Sequence, residues 1–267
     1  MASTTKQSIK ALFFDIDGTL VSIDTHRIPS STVEAIRRAR QRGVGIYIST
    51  GRPMRIINNL GDLDGLIDGY ITTNGAWCTV GDETVRCAPI PKQEAEMLVR
   101  LSDEMDFATM IVGTGDLMVH NPSPESDYVF RDLLNVGYLG EGNRLEDIMA
   151  QDIIQFTPII SREQETALMP LLPHCKAARW SGLFADINSV DADKGRGLES
   201  MAGHLGLDIS ETMAFGDGGN DIPILRKAGV GVAMGNASDA VKAEADYVTT
   251  DILEDGVMNA LEHFGII

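Results

Sequence analysis

Two aspartates spaced two apart, Asp15 and Asp17, stand near the end of the run LFFDIDGTL at residues 12–20. An apolar run this short, closed by Gly18, predicts a buried strand that ends in a turn. Side chains at i and i+2 share a strand face, so the two carboxylates meet where strand gives way to loop. Adjacent carboxylates repel one another and resist desolvation. A hard cation gives them a common purpose, because Mg2+ takes oxygen ligands, commonly one or two carboxylates beside water and phosphate oxygens. The competing reading is a solvated Asx turn after a strand.

Three further loops carry polar groups directly after or before apolar runs: Thr50-Gly51-Arg52, the stretch around Lys194, and GDGGND at 216–221. Each has a plain reading. Thr50 can cap the helix that follows, Lys194 can be a solvated lysine at a helix start, and the glycines can make a tight turn. If the four loops converge, they bring together acidic ligands, a hydroxyl, an ammonium and several backbone N–H groups. That mixture suits a phosphate and a divalent ion, whose charge offsets carboxylate and phosphate alike. Arg52 stands between a packing role and a place beside the phosphate. The five histidines show no ligand spacing, and GVGVAMG at 229–235 lacks the G-x-G-x-x-G pattern of a dinucleotide loop.

The elements that must position these loops follow from periodicity. Strands at 12–15, 44–49 and 69–73 alternate with a helix at 31–42 and a helix begun by Pro53, which argues for a doubly wound parallel sheet. Residues 76–80 and 84–88 flank Gly81-Asp82 and predict a hairpin. From there to Asp186 the pattern changes to helices near 91–104, 125–135 and 162–169, with strands near 107–112, 116–120, 153–159, 175–180 and 183–188. Paired strands with helices between them predict an inserted α+β domain with an antiparallel sheet. After Asp191 the parallel alternation resumes: a helix at 194–205, a strand at 212–215, a helix after Asn220, a strand at 229–233, and helices near 238–244 and 254–264. The expected organisation is a discontinuous core, 1–81 with 188–267, carrying an insert at 82–187. Trp180, Ser181 and Phe184 in that insert are candidates to reach the site.

Composition narrows the function classes. The 267 residues carry a net charge of −17, which argues against sequence-independent nucleic-acid binding. The first ten residues lack the apolar core of a signal peptide, and no apolar run approaches the roughly 18 residues that span a membrane. Cys78, Cys87 and Cys175 show no metal-ligand spacing and are expected as reduced core thiols. These limits point to a cytoplasmic protein with no membrane association and no obligate protein partner.

FFDIDGTL, ISTGR, TNGA at 73–76, DKGRGL at 193–198 and GDGGNDIPIL at 216–225, in this order, resemble the haloacid dehalogenase superfamily. Within it they are similar to Cof-type phosphatases with a type IIB cap. The resemblance spans the whole chain, strongly in the core motifs and by length and position in the insert, and implies an α/β Rossmann-like core with an α+β cap that sets specificity. It implies that Asp15 is the nucleophile forming an aspartyl-phosphate and that Asp17 protonates the leaving oxygen and then activates water. Mg2+ would be held by the Asp15 carboxylate, the Asp17 backbone carbonyl and Asp217, with Asp221 orienting metal-bound water or the lysine. Thr50 with Gly51, Lys194 and Asn220 would bind the phosphoryl oxygens, and Asn74 and Gly75 are placed for substrate contact. The implied activity is Mg2+-dependent hydrolysis of a small phosphorylated metabolite, a sugar phosphate first. Alternatives are a sugar phosphomutase, a phosphatase for a flavin precursor or pyridoxal phosphate, and a receiver-like phosphoacceptor module.

Overall fold

The computed structural model describes residues 8–179 and 181–267. The chain opens with β1 (Ala11–Phe14), every residue of which is buried. It continues through α1 (Ser30–Gln41), β2 (Gly45–Ser49), β3 (Gly69–Thr72), β4 (Trp77–Val80) and β5 (Glu83–Cys87). The middle of the chain supplies α2 (Lys92–Glu104), β6 (Thr109–Gly113), β7 (Leu117–His120), α3 (Pro124–Asp127), α4 (Leu145–Met149), β8 (Ile153–Pro158), α5 (Arg162–Leu168), β9 (Cys175–Ala178) and β10 (Asp186–Ser189). The last part gives α6 (Lys194–His204), β11 (Thr212–Gly216), α7 (Ile222–Lys227), β12 (Val230–Ala233), α8 (Asp239–Lys242), β13 (Tyr247–Val248) and α9 (Gly256–His263).

Two compact units result. The core unit comprises residues up to Gly51, Asn59–Arg86 and Asp193–Ile267, and the insert unit comprises Arg52–Asn58 and Cys87–Ala192. The core sheet has the order β13-β12-β11-β1-β2-β3-β4-β5. β1 lies in its middle and pairs in parallel with β2 on one side and β11 on the other. Strands covered on both faces read as continuous apolar runs, which is why ALFF, GIYIS and TMAFG lack alternation. On the face of Phe13 and Tyr47, α6 and α7 contribute Leu198, Met201, Ile224 and Leu225 to one buried cluster. The connection reverses direction at β1 and β11, and the carboxyl ends of the strands at such a switch point are where open α/β sheets bind ligands.

The insert unit has a five-stranded sheet, β7-β6-β8-β10-β9, with antiparallel neighbours throughout. Ile111, Phe156 and Ile187 stand in register across its three central strands. They join Ala95, Leu98 and Leu101 of α2 and Leu168 of α5 in the unit's hydrophobic core. Among the described residues, no helix is long and apolar enough to cross a membrane.

Several expectations need correction. The stretch after Pro53 makes only a single 3-10 turn, Met54–Ile56, and Arg52–Asn58 groups with the insert unit. The hairpin strand β5 extends the core sheet beyond residue 81 because it adds to the edge left by β4. Cys87 is exposed on that edge strand, whereas Cys78 and Cys175 are buried thiols. The expected helix at 125–135 is α3 followed by a six-residue π-helix, Tyr128–Leu133. The short elements α4 and β13 have no strong periodic signal in sequence.

Candidate active site

Asp15 follows β1 directly. Its N–H donates to the Phe215 carbonyl of β11 at 3.0 Å, so the sheet ladder itself fixes where the carboxylate begins. The chain then turns sharply: Gly18 N–H donates to the Val21 carbonyl at 2.8 Å with φ at +87°, in the region that favours glycine. A Cβ on Gly18 would lie 2.2 Å from Asp217 Oδ2, so the side chain of Asp217 occupies the space that this glycine leaves. Thr19 closes the same corner, its hydroxyl donating to Asp217 Oδ1 at 2.9 Å.

Lys194 enters from the first turn of α6, where Asp193 caps the helix by accepting from Arg196 N–H. Its ammonium is wholly buried and donates to Asp15 Oδ1 at 2.7 Å and to Asp221 Oδ1 at 2.5 Å. Asp221 also accepts, at Oδ2, the backbone N–H groups of Asp217 (3.1 Å) and Gly218 (2.9 Å). Both of its oxygens are thus engaged, and its carboxylate serves as the fixed brace between the lysine and the 216–221 loop. Gly216 permits that brace, since a Cβ there would lie 2.4 Å from the Asp221 Cβ.

Carboxylate oxygens of Asp15, Asp217 and Asp221 lie within 4.8 Å of one another. Burial pushes the Asp15 carboxyl well above its usual range, with Asp221 and Asp217 adding to the rise and Lys194 opposing it. Burial and Asp221 likewise raise Asp217 to about 6. For Lys194, burial favours the neutral amine, but the Asp15 and Asp221 carboxylates outweigh it and hold the ammonium charged. One ammonium among three carboxylates leaves an excess of negative charge in a poorly solvated site, and an added cation is the group that relieves it. The donor set fits a hard divalent ion. Lys194 and Thr19 take Oδ1 of Asp15 and Asp217, and the second oxygens of these two remain to meet such an ion. The Asp17 carboxylate is not in this cluster. Asp17 is half-buried at a bridge to Val21, and its charge adds to the rise at Asp217.

On the other side of β1, Thr50 directly follows β2 and is buried. Its N–H donates to the Ile71 carbonyl at 2.8 Å and its carbonyl accepts Asn74 N–H at 3.1 Å. Asn74 sits at φ +56° after β3, and its Oδ1 accepts from Asn220 Nδ2 at 3.1 Å. A Cβ on Gly51 would lie 3.1 Å from that same Oδ1. Gly75, at φ +87°, lies against the start of α6, where a Cβ would be 2.2 Å from the Asp193 carbonyl oxygen. Thr50, Gly51, Asn74, Asn220, Asp221, Lys194 and Asp15 are therefore linked into one connected cluster.

Two residues escaped the sequence reading as members of the site. Thr19 lies within the D-x-D-G-T run, so its signal was present without a role attached. Asn236 gave no signal: its Nδ2 donates to the Gly18 carbonyl at 2.8 Å and its Oδ1 accepts Ile252 N–H at 3.1 Å, buckling the Gly18 turn to a loop 218 residues away. Of the insert candidates, Phe184 is buried at a bridge to Ile159, and Ser181 Oγ accepts Leu183 N–H at 3.2 Å. Trp180 lies outside the described residues.

Residues 12–261 match the family model for haloacid dehalogenase-like hydrolases. A solved HAD subclass IIB sugar phosphatase, BT4131, is 46% identical with a TM-score of 0.88, over 97% of this chain and all of that one. The HAD phosphatase BT1666 from Bacteroides thetaiotaomicron is 35% identical with a TM-score of 0.87, over 100% of this chain and 99% of its own. A Bacillus subtilis relative, 5-amino-6-(5-phospho-D-ribitylamino)uracil phosphatase YcsE, is 28% identical over 96% of both chains.

Proposed function

Because the chain belongs to the haloacid dehalogenase-like hydrolases and is a phosphatase of that family, we propose that it hydrolyses a sugar phosphate through an aspartyl-phosphate on Asp15, with Mg2+ as its metal. The observation that carries this reading is the buried Lys194 ammonium held between Asp15 and Asp221. It fixes the Asp15 carboxylate and leaves a localised positive charge where phosphoryl oxygens would arrive.

In the first step a carboxylate oxygen of Asp15 forms a bond to phosphorus while the bond from phosphorus to the sugar oxygen breaks. Asp17 gives its proton to that leaving oxygen. In the second step water attacks the phosphorus of the acyl phosphate. Asp17 takes the water's proton, the bond to Asp15 breaks, and inorganic phosphate leaves. Lys194 offers its remaining donor to the phosphoryl group, and Thr50, Gly51 and Asn220 add neutral donors, the last steadied by Asn74. The Asp15 and Asp217 carboxylates and the Asp17 carbonyl would hold the metal, which supplies positive charge that lets a carboxylate approach a phosphate dianion. The discontinuous core, expected from sequence near 1–81 and 188–267, carries this chemistry. The insert near 82–187 is read as the specificity-setting cap.

The sugar assignment rests on the 46% identical sugar phosphatase, whereas the 5-amino-6-(5-phospho-D-ribitylamino)uracil phosphatase is 28% identical. The test is phosphate release from hexose and pentose phosphates, pyridoxal phosphate, a phosphorylated flavin precursor and an aryl phosphate, with Mg2+ and after chelation. Sugar phosphates should lead the panel, and chelation should reduce every rate to background. A panel led by another class replaces the sugar reading, and isomerised sugar phosphate without free phosphate replaces hydrolysis by mutase chemistry.

A further inference from the structure

Arg52–Asn58 follow immediately on Thr50 and Gly51, yet they group with the insert unit. The segment contains one 3-10 turn and two exposed side chains, Arg55 and Asn58, that reach backbone carbonyls of the insert. Arg55 donates to the Gly115 carbonyl through Nε at 3.2 Å and Nη2 at 2.9 Å. Asn58 Nδ2 donates to the Asn135 carbonyl at 3.0 Å.

Neither acceptor lies on a loose loop. Gln151 Oε1 accepts the N–H groups of Gly115 (2.8 Å) and Asp116 (3.1 Å), and a Cβ at Gly113 would lie 2.3 Å from that oxygen. Asp116 Oδ1 accepts Leu117 N–H at 2.9 Å and its Oδ2 accepts the Tyr138 hydroxyl at 3.0 Å. Asn135 follows the π-helix at φ +52°, and that π-helix is anchored by buried Val129 and Phe130. Positive φ at a non-glycine residue and a π-helix are backbone states kept only where surrounding contacts determine them. Arg55 and Asn58 therefore grip two rigid points, while a single 3-10 turn offers the segment little hold of its own.

We propose that Arg55 and Asn58 are positioning residues for phosphoryl binding: they tie the chain leaving Thr50 and Gly51 to the Gly115 and Asn135 carbonyls, so that the insert orders the phosphate-binding turn. The proposal rests on the reading of Thr50 and Gly51 as phosphoryl contacts. Small displacements of contact groups are costly in such sites, which is why a tether some residues away matters.

The test uses the full chain carrying Arg55→Met, Asn58→Ala, both together, Arg55→Lys, or Thr50→Ala. Binding of inorganic phosphate in the presence of Mg2+ is measured by calorimetry, and amide exchange is followed over residues 50–58. The double variant should weaken phosphate about three- to tenfold, the effect of two modest hydrogen bonds. It should also speed exchange across 52–58 while leaving the remaining insert amides unchanged. Each single variant should give part of both effects, and Arg55→Lys, which keeps one donor, should fall between Arg55→Met and the parent. Thr50→Ala should weaken phosphate at least as much as the double variant. Unchanged phosphate affinity in the double variant, with Thr50→Ala weakened, overturns the tether and leaves the Thr50 assignment standing. Unchanged exchange over 52–58 in the double variant overturns it as well. Unchanged affinity in Thr50→Ala removes the Thr50 assignment and the tether with it.

Discussion

Both units bury carboxylates, and they do so in opposite ways. In the core unit Asp15, Asp217 and Asp221 crowd within 4.8 Å around one ammonium, and the carboxyls of Asp15 and Asp217 are raised by burial and by their neighbours. In the insert unit the buried acids stand singly. Asp186 Oδ1 accepts from Gln155 Nε2 at 3.1 Å and Thr157 Oγ1 at 2.8 Å, and Glu94 accepts from the N–H and Nδ1 of His174. Neutral donors in adjacent strands can satisfy a single buried carboxylate at acceptable cost. A cluster of like charges destabilises the fold instead, and is retained where chemistry requires it. Under the proposed mechanism, the contrast separates groups that hold the structure from groups that serve the reaction.

The largest expected effect is at Asp15. Asp15→Asn removes the proposed nucleophile and should lower turnover by about 10⁴-fold or more, while thermal unfolding stays at or slightly above the parent because one repulsive charge is gone. Turnover within tenfold of the parent would place the nucleophile elsewhere. Asp17→Asn should cost about 10²–10⁴-fold in phosphoenzyme formation on a sugar phosphate. The loss should be smaller on an aryl phosphate whose leaving oxygen needs no proton, and equal losses on both substrates would count against the acid role.

The charge cluster should also appear in the pH dependence of stability. Folding raises Asp217 from 3.8 to about 6 and raises Asp15 in the same direction, so the folded state binds more protons than the unfolded chain in that window. Stability without metal should therefore fall as pH rises from about 4 to about 6 and stay low above it. Mg2+ should raise the unfolding temperature more at neutral pH than below about pH 4, where the carboxyls are protonated. An equal shift at both pH values would mean that the cluster does not bind the ion.

The smallest effect is on the insert side. Thr157→Val deletes a buried hydroxyl that donates to a carboxylate and should cost about 1–3 kcal/mol in chemical unfolding, with hydrolysis of an aryl phosphate unchanged. A large loss of aryl phosphate turnover would show that this network serves the chemistry and would erase the distinction between the units.

Asp15, Thr50 and the 216–221 loop were legible in sequence because buried parallel strands are short apolar runs, and the polar residues that end them stand out locally. The helix expected from Pro53 failed for a reason invisible in local pattern. Arg55 and Asn58 are engaged with carbonyls 60 and 77 residues away, and a one-turn segment yields to such contacts. The hairpin of β4 and β5 was legible from Gly81-Asp82, but its membership of the core sheet was not, because which sheet edge a hairpin joins is set by packing and not by local pattern.

What the sequence determined by itself is the order of buried strands, the polar residues at their ends, and the family whose motifs those residues spell. Only the tertiary structure decided that Lys194 reaches Asp15 across 179 residues, that Thr19 closes on Asp217 across 198, and that Asn236 buckles the Gly18 turn. Backbone propensity and side-chain periodicity act over a few neighbouring residues, whereas these contacts form because β1 sits between β2 and β11 in one sheet. Strand order is a property of the packed chain, and with it comes the convergence of charges that makes the site.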